Sequence, residues 1–224
     1  MKELTQTLIY IHAFLGGLGL LSGIASVITK KGSKPHTQSG KVFSIAMIGS
    51  AVLSLIVARV PEHENLFLFL IGIFTIYMVL AGNRALTLKY PNKSQADIID
   101  KSISGLMLLG SIAMLAIGGY NLTKNNNEGT LFLFFGGFGL FMTITDFKSF
   151  KTFKEQKSLR LKNHIGRMVG ALIASFTAFI VAGLNLNSTI AWISPTIVGT
   201  MYIIFWTRKL KTDKRPIEEK QLIK

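Results

Sequence analysis

The stretch Met168 to Thr207, MVGALIASFTAFIVAGLNLNSTIAWISPTIVGTMYIIFWT, decides the fold, because its forty residues contain no Lys, Arg, Asp or Glu. A helix needs about 20 apolar residues to cross a hydrocarbon core of about 30 Å, so this run holds two crossings joined by a short Asn-containing turn. The rest of the chain agrees. Of 224 residues, 49% are hydrophobic and only 16% are charged, against about 25% charged in an ordinary soluble domain. A soluble globular domain and a disordered tail are excluded. With no Cys, disulfides, thiolate ligands and redox thiols are excluded too.

Using the charges as punctuation, seven apolar segments appear: Leu8 to Ile28, Val42 to Ala58, Leu66 to Ala81, Ile103 to Leu122, Leu131 to Thr145, Ile165 to Leu186 and Ile190 to Thr207. They are apolar on all faces rather than alternating, which fits helices and not the strands of a barrel. The expectation is an all-α polytopic membrane protein of one transmembrane domain, residues 1–224. Its seven helices run over about 8–28, 42–60, 66–88, 103–122, 131–147, 165–186 and 190–207, followed by a basic cytoplasmic tail, 208–224. The fifth is expected to continue through Phe147, Phe150 and Phe153, an aromatic stripe at spacing three. The first segment exceeds a signal-peptide core in length and lacks an Ala-x-Ala site, so it reads as a retained helix.

Orientation follows from where Lys and Arg fall. Twenty-two lie on one side of the seven segments and three, Lys2, Arg59 and Lys124, on the other. Cytoplasmic loops keep positive charge, which places the amino terminus outside and the carboxyl terminus inside. The net charge of +14 is then a topology signal and a match for anionic lipid headgroups, rather than a sign of nucleic-acid binding.

Small residues recur at helical spacing. Gly166, Gly170, Ala174, Ala178 and Ala182 are each four apart; Ala46, Ser50, Ser54 and Ala58 follow the same rule; Gly19 and Gly23 sit beside Gly16 and Gly17. Such ridges let helices approach closely, within one chain or between copies in a homo-oligomer. Two stretches match, Phe14 to Leu20 (FLGGLGL) and Phe134 to Leu140 (FFGGFGL). Each precedes a basic loop with His, Gly and a cation: His36, Gly40 and Lys41, then His164, Gly166 and Arg167. Tyr77 to Arg84 and Tyr202 to Arg208 end the third and seventh segments alike. These matches read as helices 1 to 3 repeated in parallel as helices 5 to 7, with helix 4 as the link.

The chemical inventory is short. Asp146 is expected to close helix 5 and His164 to open helix 6, with His36 at the corresponding inner place of the first repeat. The three read either as a proton-handling or metal-binding cluster at the cytoplasmic mouth or as interfacial groups satisfied by backbone, water and lipid. His12, inside the first segment, either bonds a neighbouring helix or serves as an axial haem ligand or proton relay. His63 reads as a solvated turn residue. A di-haem scheme pairs His12 with His63 and His36 with His164, but His36 and His63 bracket about 40 Å of helix, which argues against it. Arg84, Arg167 and Arg208 read as snorkelling anchors or as guanidinium groups for an anion. Pro195 and Gly199 are expected to bend the seventh helix. No Ser-His-Asp set, phosphate-cradling loop or pair of catalytic carboxylates is apparent, so enzymatic function is not expected.

The stretches ITDFKSF (Ile144 to Phe150), LKNHIGRMVGALIASFTAFIV (Leu161 to Val181) and WISPTIVGTMYIIFW (Trp192 to Trp206), with GNRAL (Gly82 to Leu86), resemble a bacterial family of predicted multi-pass membrane proteins of unknown function. The resemblance implies a bacterial inner-membrane protein with His164, Gly166 and Arg167 as its motif, and implies no ligand or catalytic residue. Three functions stay open on the sequence. The first is a transporter or permease for a small neutral or lipophilic solute. The second is a redox or sensory protein holding haem or a metal through His; the third is a non-catalytic scaffold.

Overall fold

A computed structural model describes residues 2–87, 96–126, 128–151, 157–186 and 188–212. Among them the chain is all-α, without a strand, and forms seven helices: α1 (Lys2–Ile28), α2 (Lys34–Val57), α3 (Leu66–Thr87), α4 (Ile98–Thr123), α5 (Gly129–Lys151), α6 (Lys157–Ala178) and α7 (Thr189–Thr212). A π-helical turn, Phe179–Gly183, extends α6. Six helices are long and apolar enough to cross a membrane: α1 to α5, and α6 with its extension over Leu159–Val181. Their outer faces are apolar, as a lipid-facing protein requires; Leu21 is 71% exposed and Ile45 75%.

The helices are longer than the apolar runs inside them. Where α4 was expected from Ile103, it begins at Ile98, because Asp97 and Asp100 close a capping box across the first turn. Where α6 was expected from Ile165, it begins at Lys157. Lys, Arg and Leu are good helix formers, so charge ends the lipid-buried segment without ending the helix. Accordingly, His164 lies two turns inside α6 rather than opening it, and Asp146 lies inside α5, which continues to Lys151. Phe147 and Phe150 do stack edge to face at 5.8 Å, while Phe153 lies outside the described residues. The α1–α2 turn uses Gly32 at φ +79°, and Ser33 then caps α2 with its hydroxyl accepting the His36 N–H.

The chain divides into two compact units. The first contains α1, α2, α3 as far as Ala81, α4 and α5. Within it α1 and α2 form one hairpin and α4 and α5 another. On α3, Gly72 lies so close to α2 that a Cβ would meet Ser54 and Leu55 at 2.8 and 2.7 Å. On the same helix, Leu70 packs with Met114 of α4 and Phe132 of α5, among Phe67, Ile73, Ile117 and Phe135. Phe67 sets its ring edge on Phe132 at 5.1 Å, a geometry that adds to area burial.

The second unit contains the end of α3 from Gly82, then α6 and α7. Gly82 receives Met168 and Arg167 of α6 at 2.7–3.0 Å from where a Cβ would stand. Gly199 of α7 likewise receives the Ile173 side chain. Helix α7 includes Pro195, and the glycine nearby serves as a packing notch. Among the described residues Arg167, Ala171 and Thr177 of α6 are buried, as is Val181 of its π-helical extension. Gly166, by contrast, has open space beside it.

Candidate functional site

The chemistry of the first unit centres on Asp146. Its side chain is only 7% exposed and lies inside α5, one of the membrane-crossing helices. Tyr77 of α3 donates its hydroxyl to Oδ2 at 2.6 Å, and Ser104 of α4 donates to the same oxygen at 2.9 Å. One carboxylate oxygen therefore ties three helices together. Tyr77 is 2% exposed and Ser104 2%, so both hydroxyls depend on protein partners. A buried carboxylate is costly unless it is hydrogen-bonded, and short bonds from two hydroxyls supply part of that compensation. The same buried face of α4 carries Asp100, Ser104, Met107, Ser111 and Met114. Ser111 returns its hydroxyl to the Met107 carbonyl at 2.8 Å, leaving no orphaned polar atom there.

The α1–α2 hairpin holds a second polar arrangement, built from two copies of one spacing. His12, Gly16 and Ser26 on α1 are spaced as His36, Gly40 and Ser50 on α2, His-x3-Gly-x9-Ser in both. Across the antiparallel seam each His meets the Ser of the other helix. His12 Nδ1 lies 2.8 Å from the Ser50 carbonyl oxygen and 3.0 Å from its Oγ. His36 Nδ1 lies 2.9 and 3.1 Å from the same two atoms of Ser26. The glycines make room: a Cβ on Gly16 would stand 3.3 Å from Ser50 Oγ, and one on Gly40 3.6 Å from Ser26 Oγ. Ser50 completes its clasp by donating its hydroxyl to the His12 carbonyl at 3.1 Å. A carbonyl oxygen only accepts, so the proton of each neutral ring sits on Nδ1.

In the second unit His164 follows the same habit, with Nδ1 2.9 Å from the Gly82 carbonyl oxygen. Arg167, three residues on, is 7% exposed. Arg84 ends α3, and Arg208, near the end of α7, is exposed. Lys209 sits over the Trp206 ring at 5.1 Å, the interfacial cation and aromatic pairing expected at a helix end.

The residues singled out from sequence are assigned by element and unit. His12 and His36 belong to one hairpin, Asp146 to the three-helix junction of α3, α4 and α5, and His164 with the arginines to the second unit. His63 lies exposed in the α2–α3 turn. Gly19 of α1 faces the Met47 side chain of α2, and Gly23 is buried in the same helix. Among the described residues no three His, Asp or Glu side chains lie together so as to hold a metal ion. As partners of Asp146, Tyr77 and Ser104 escape a reading of the sequence: Tyr77 is marked there only by its likeness to Tyr202, and Ser104 is unremarkable within its own helix. The twin His-x3-Gly-x9-Ser spacing is visible in the sequence, but only when one helix is laid against the next. Comparison with family models, with curated proteins and with solved structures gives no match.

Proposed function

We propose that this multi-pass membrane protein is a transporter or permease for a small neutral or lipophilic solute, with Asp146 as its proton-carrying group. The observation that carries the reading is the buried Asp146 carboxylate held by Tyr77 and Ser104. An ionisable group kept inside a bundle of lipid-crossing helices marks an ion or substrate path more often than a structural need. Its three-helix attachment also supplies the coupling: protonating the carboxylate weakens the acceptor that α3 and α4 share, so proton state and helix packing change together. The scarcity of other charge in the apolar helices fits an uncharged solute.

The reading includes seven crossings, with α7 as the last, the amino terminus outside and the basic tail, residues 208–224, against anionic headgroups of a bacterial inner membrane. It also includes the parallel repeat of helices 1 to 3 as 5 to 7. The two Gly-Gly-x-Gly stretches have the same packed and open positions, although the second packs on the preceding helix, where a repeat of helices 1 to 3 as 5 to 7 calls for the following one. Gly16 and Gly19 face α2, Gly136 and Gly139 face α4, and the middle Gly17 and Gly137 face nothing within 4 Å. The resemblance carried by His164 to Arg167, His-Ile-Gly-Arg, belongs to the same reading.

Proteoliposomes loaded with a pH-sensitive dye test the function. The expected result is proton movement that rises when members of a panel of neutral and lipophilic solutes are added, and that falls to the empty-liposome rate in Asp146→Asn while the variant stays folded. Wild-type protein that never exceeds empty liposomes, or an Asp146→Asn variant with undiminished flux, removes the reading.

A further inference from the structure

The geometry points to Asp100 as the group that hands protons to Asp146, through the hydroxyl of Ser104. The inference rests on Asp146 as a proton carrier and adds the route by which its proton arrives. Among the described residues two acids are buried, Asp100 at 5% and Asp146 at 7% exposure, and both lie in membrane-crossing helices of the first unit. One buried hydroxyl neighbours both. Ser104, 2% exposed, follows Asp100 by one turn on α4 and donates to Asp146 Oδ2 at 2.9 Å. Asp100 and Ser104 are both on the buried face of α4, and side chains four apart on one face have Cβ atoms about 5–6 Å apart, within reach of each other.

Asp100 has a local task that does not account for its place. Its Oδ2 accepts the Asp97 N–H at 3.1 Å, and its own N–H is donated to Asp97 Oδ1 at 2.9 Å. These are the two bonds of the capping box that starts α4; they satisfy orphan N–H groups and ask for no burial. Enclosing a carboxylate is costly, so the box explains an acid in the first turn and not one turned into the bundle. Exposure falls in order along the route: Asp97 is half-buried at the N-cap, Asp100 is nearly enclosed, and Ser104 is enclosed a turn deeper beside Asp146. The nearest basic residues in sequence, Lys101 of α4 and Lys148 of α5, are exposed. A graded line from solvent to a buried acid is what proton entry requires, and acids inside a membrane bundle mark such relays.

A hydroxyl suits the middle place because it donates and accepts at once. Protonated Asp100 gives its proton to Ser104 Oγ while Ser104 releases its own to Asp146 Oδ2. The O–H bond on Asp100 breaks, one forms on Asp146, and Ser104 keeps a hydroxyl throughout, so one proton moves and nothing else is consumed. Solvent at the start of α4 then restores the proton on Asp100, beside Asp97. The start of α4 and the end of α5 share one face of the membrane, which the proposed orientation makes the cytoplasmic one, and the proton enters from there.

The test uses the full chain in lipid nanodiscs and needs no solute. After a step to lower pH, time-resolved infrared absorption follows the carbonyl band of the protonated Asp146 carboxyl, assigned by its loss in Asp146→Asn. Asp100→Asn keeps an oxygen for the Asp97 N–H, so the capping box and the fold survive. It should slow the rise of the band by about 100-fold, the lower end of what a positioned acid contributes, and leave its final height unchanged. Added formate, a small weak acid, should restore the rate in this variant, and Asp100→Glu should restore it without formate. Ser104→Ala, with both carboxylates present, should slow the band as well. A rate undiminished in Asp100→Asn or in Ser104→Ala, or one that formate and Asp100→Glu both fail to restore, overturns the relay and leaves Asp146 as the proton carrier. A wild-type band that never rises removes the Asp146 reading and the relay with it.

Discussion

The α1–α2 and α4–α5 hairpins are built from the same material and solve the same problem differently. Both are antiparallel pairs of apolar helices, and both place a Gly-Gly-x-Gly stretch on the seam. In α1–α2 the polar groups on the seam satisfy each other within the hairpin, His12 with Ser50 and His36 with Ser26. In α4–α5 the backbones themselves touch: a Cβ on Gly129 would stand 2.6 Å from the Gly118 carbonyl oxygen, and one on Gly118 would stand 2.9 Å from that of Gly129. The buried Asp146 of that seam is then bonded by a residue of a third helix, Tyr77. The difference teaches which polar group can respond to movement. A clasp closed within one hairpin is indifferent to α3, whereas Asp146 senses whether α3 is in place.

Asp146→Leu should break the comparison most severely. It removes the acceptor shared by two buried hydroxyls, each worth about 1–3 kcal/mol when unpaired, and thermal unfolding in detergent should fall more than for any single change in α1–α2. Gly129→Ala comes next. Its new methyl meets backbone, which cannot give way, and overpacking of this kind costs about 1–3 kcal/mol. Gly19→Ala sharpens the contrast, because the crowded atom there is the end of the flexible Met47 side chain; its midpoint should move far less than that of Gly129→Ala.

Ser50→Ala and Ser26→Ala should each cost about 1 kcal/mol. Because the clasps lie 14 residues apart, the double variant should show the sum of the two. Marked non-additivity in denaturant titrations would mean that the hairpin acts as one unit.

The smallest effect concerns Lys31, in the turn between α1 and α2. Its ammonium donates to the Ser26 and Val27 carbonyls, and burial lowers its pKa from the ordinary lysine range. In the window between the lowered and the ordinary value the unfolded chain binds more protons than the folded one. Stability should therefore rise with pH there, and Lys31→Met should flatten the slope.

How much of this was legible beforehand depends on the scale of the question. The presence of α1 to α6 could be read from apolar runs alone, because lipid demands them wherever they occur. Helix ends could not, since charges mark where lipid stops and Lys157 or Lys101 can continue a helix perfectly well. Asp146 stood out as a rare acid, but its partners did not. Tyr77 and Ser104 reach it only through the register of three helices, which no local pattern encodes. On α6 the small-residue ridge beginning at Gly166 looked like the packing face, yet Gly166 is open and Arg167, Ala171 and Thr177 are buried. Small size permits close approach without saying whether protein or lipid does the approaching, since both are equally apolar.

The open middle glycines carry a consequence for the bilayer itself. Gly17 lies between Phe14 and Leu21, and Gly137 between Phe134 and Phe141, all four large side chains being well exposed. Each set leaves a shallow dent between two protruding side chains, a contour into which one acyl tail can settle. Annular lipid there should be slower to exchange than elsewhere on the surface, and filling either dent with leucine should release it while leaving the helices beneath undisturbed.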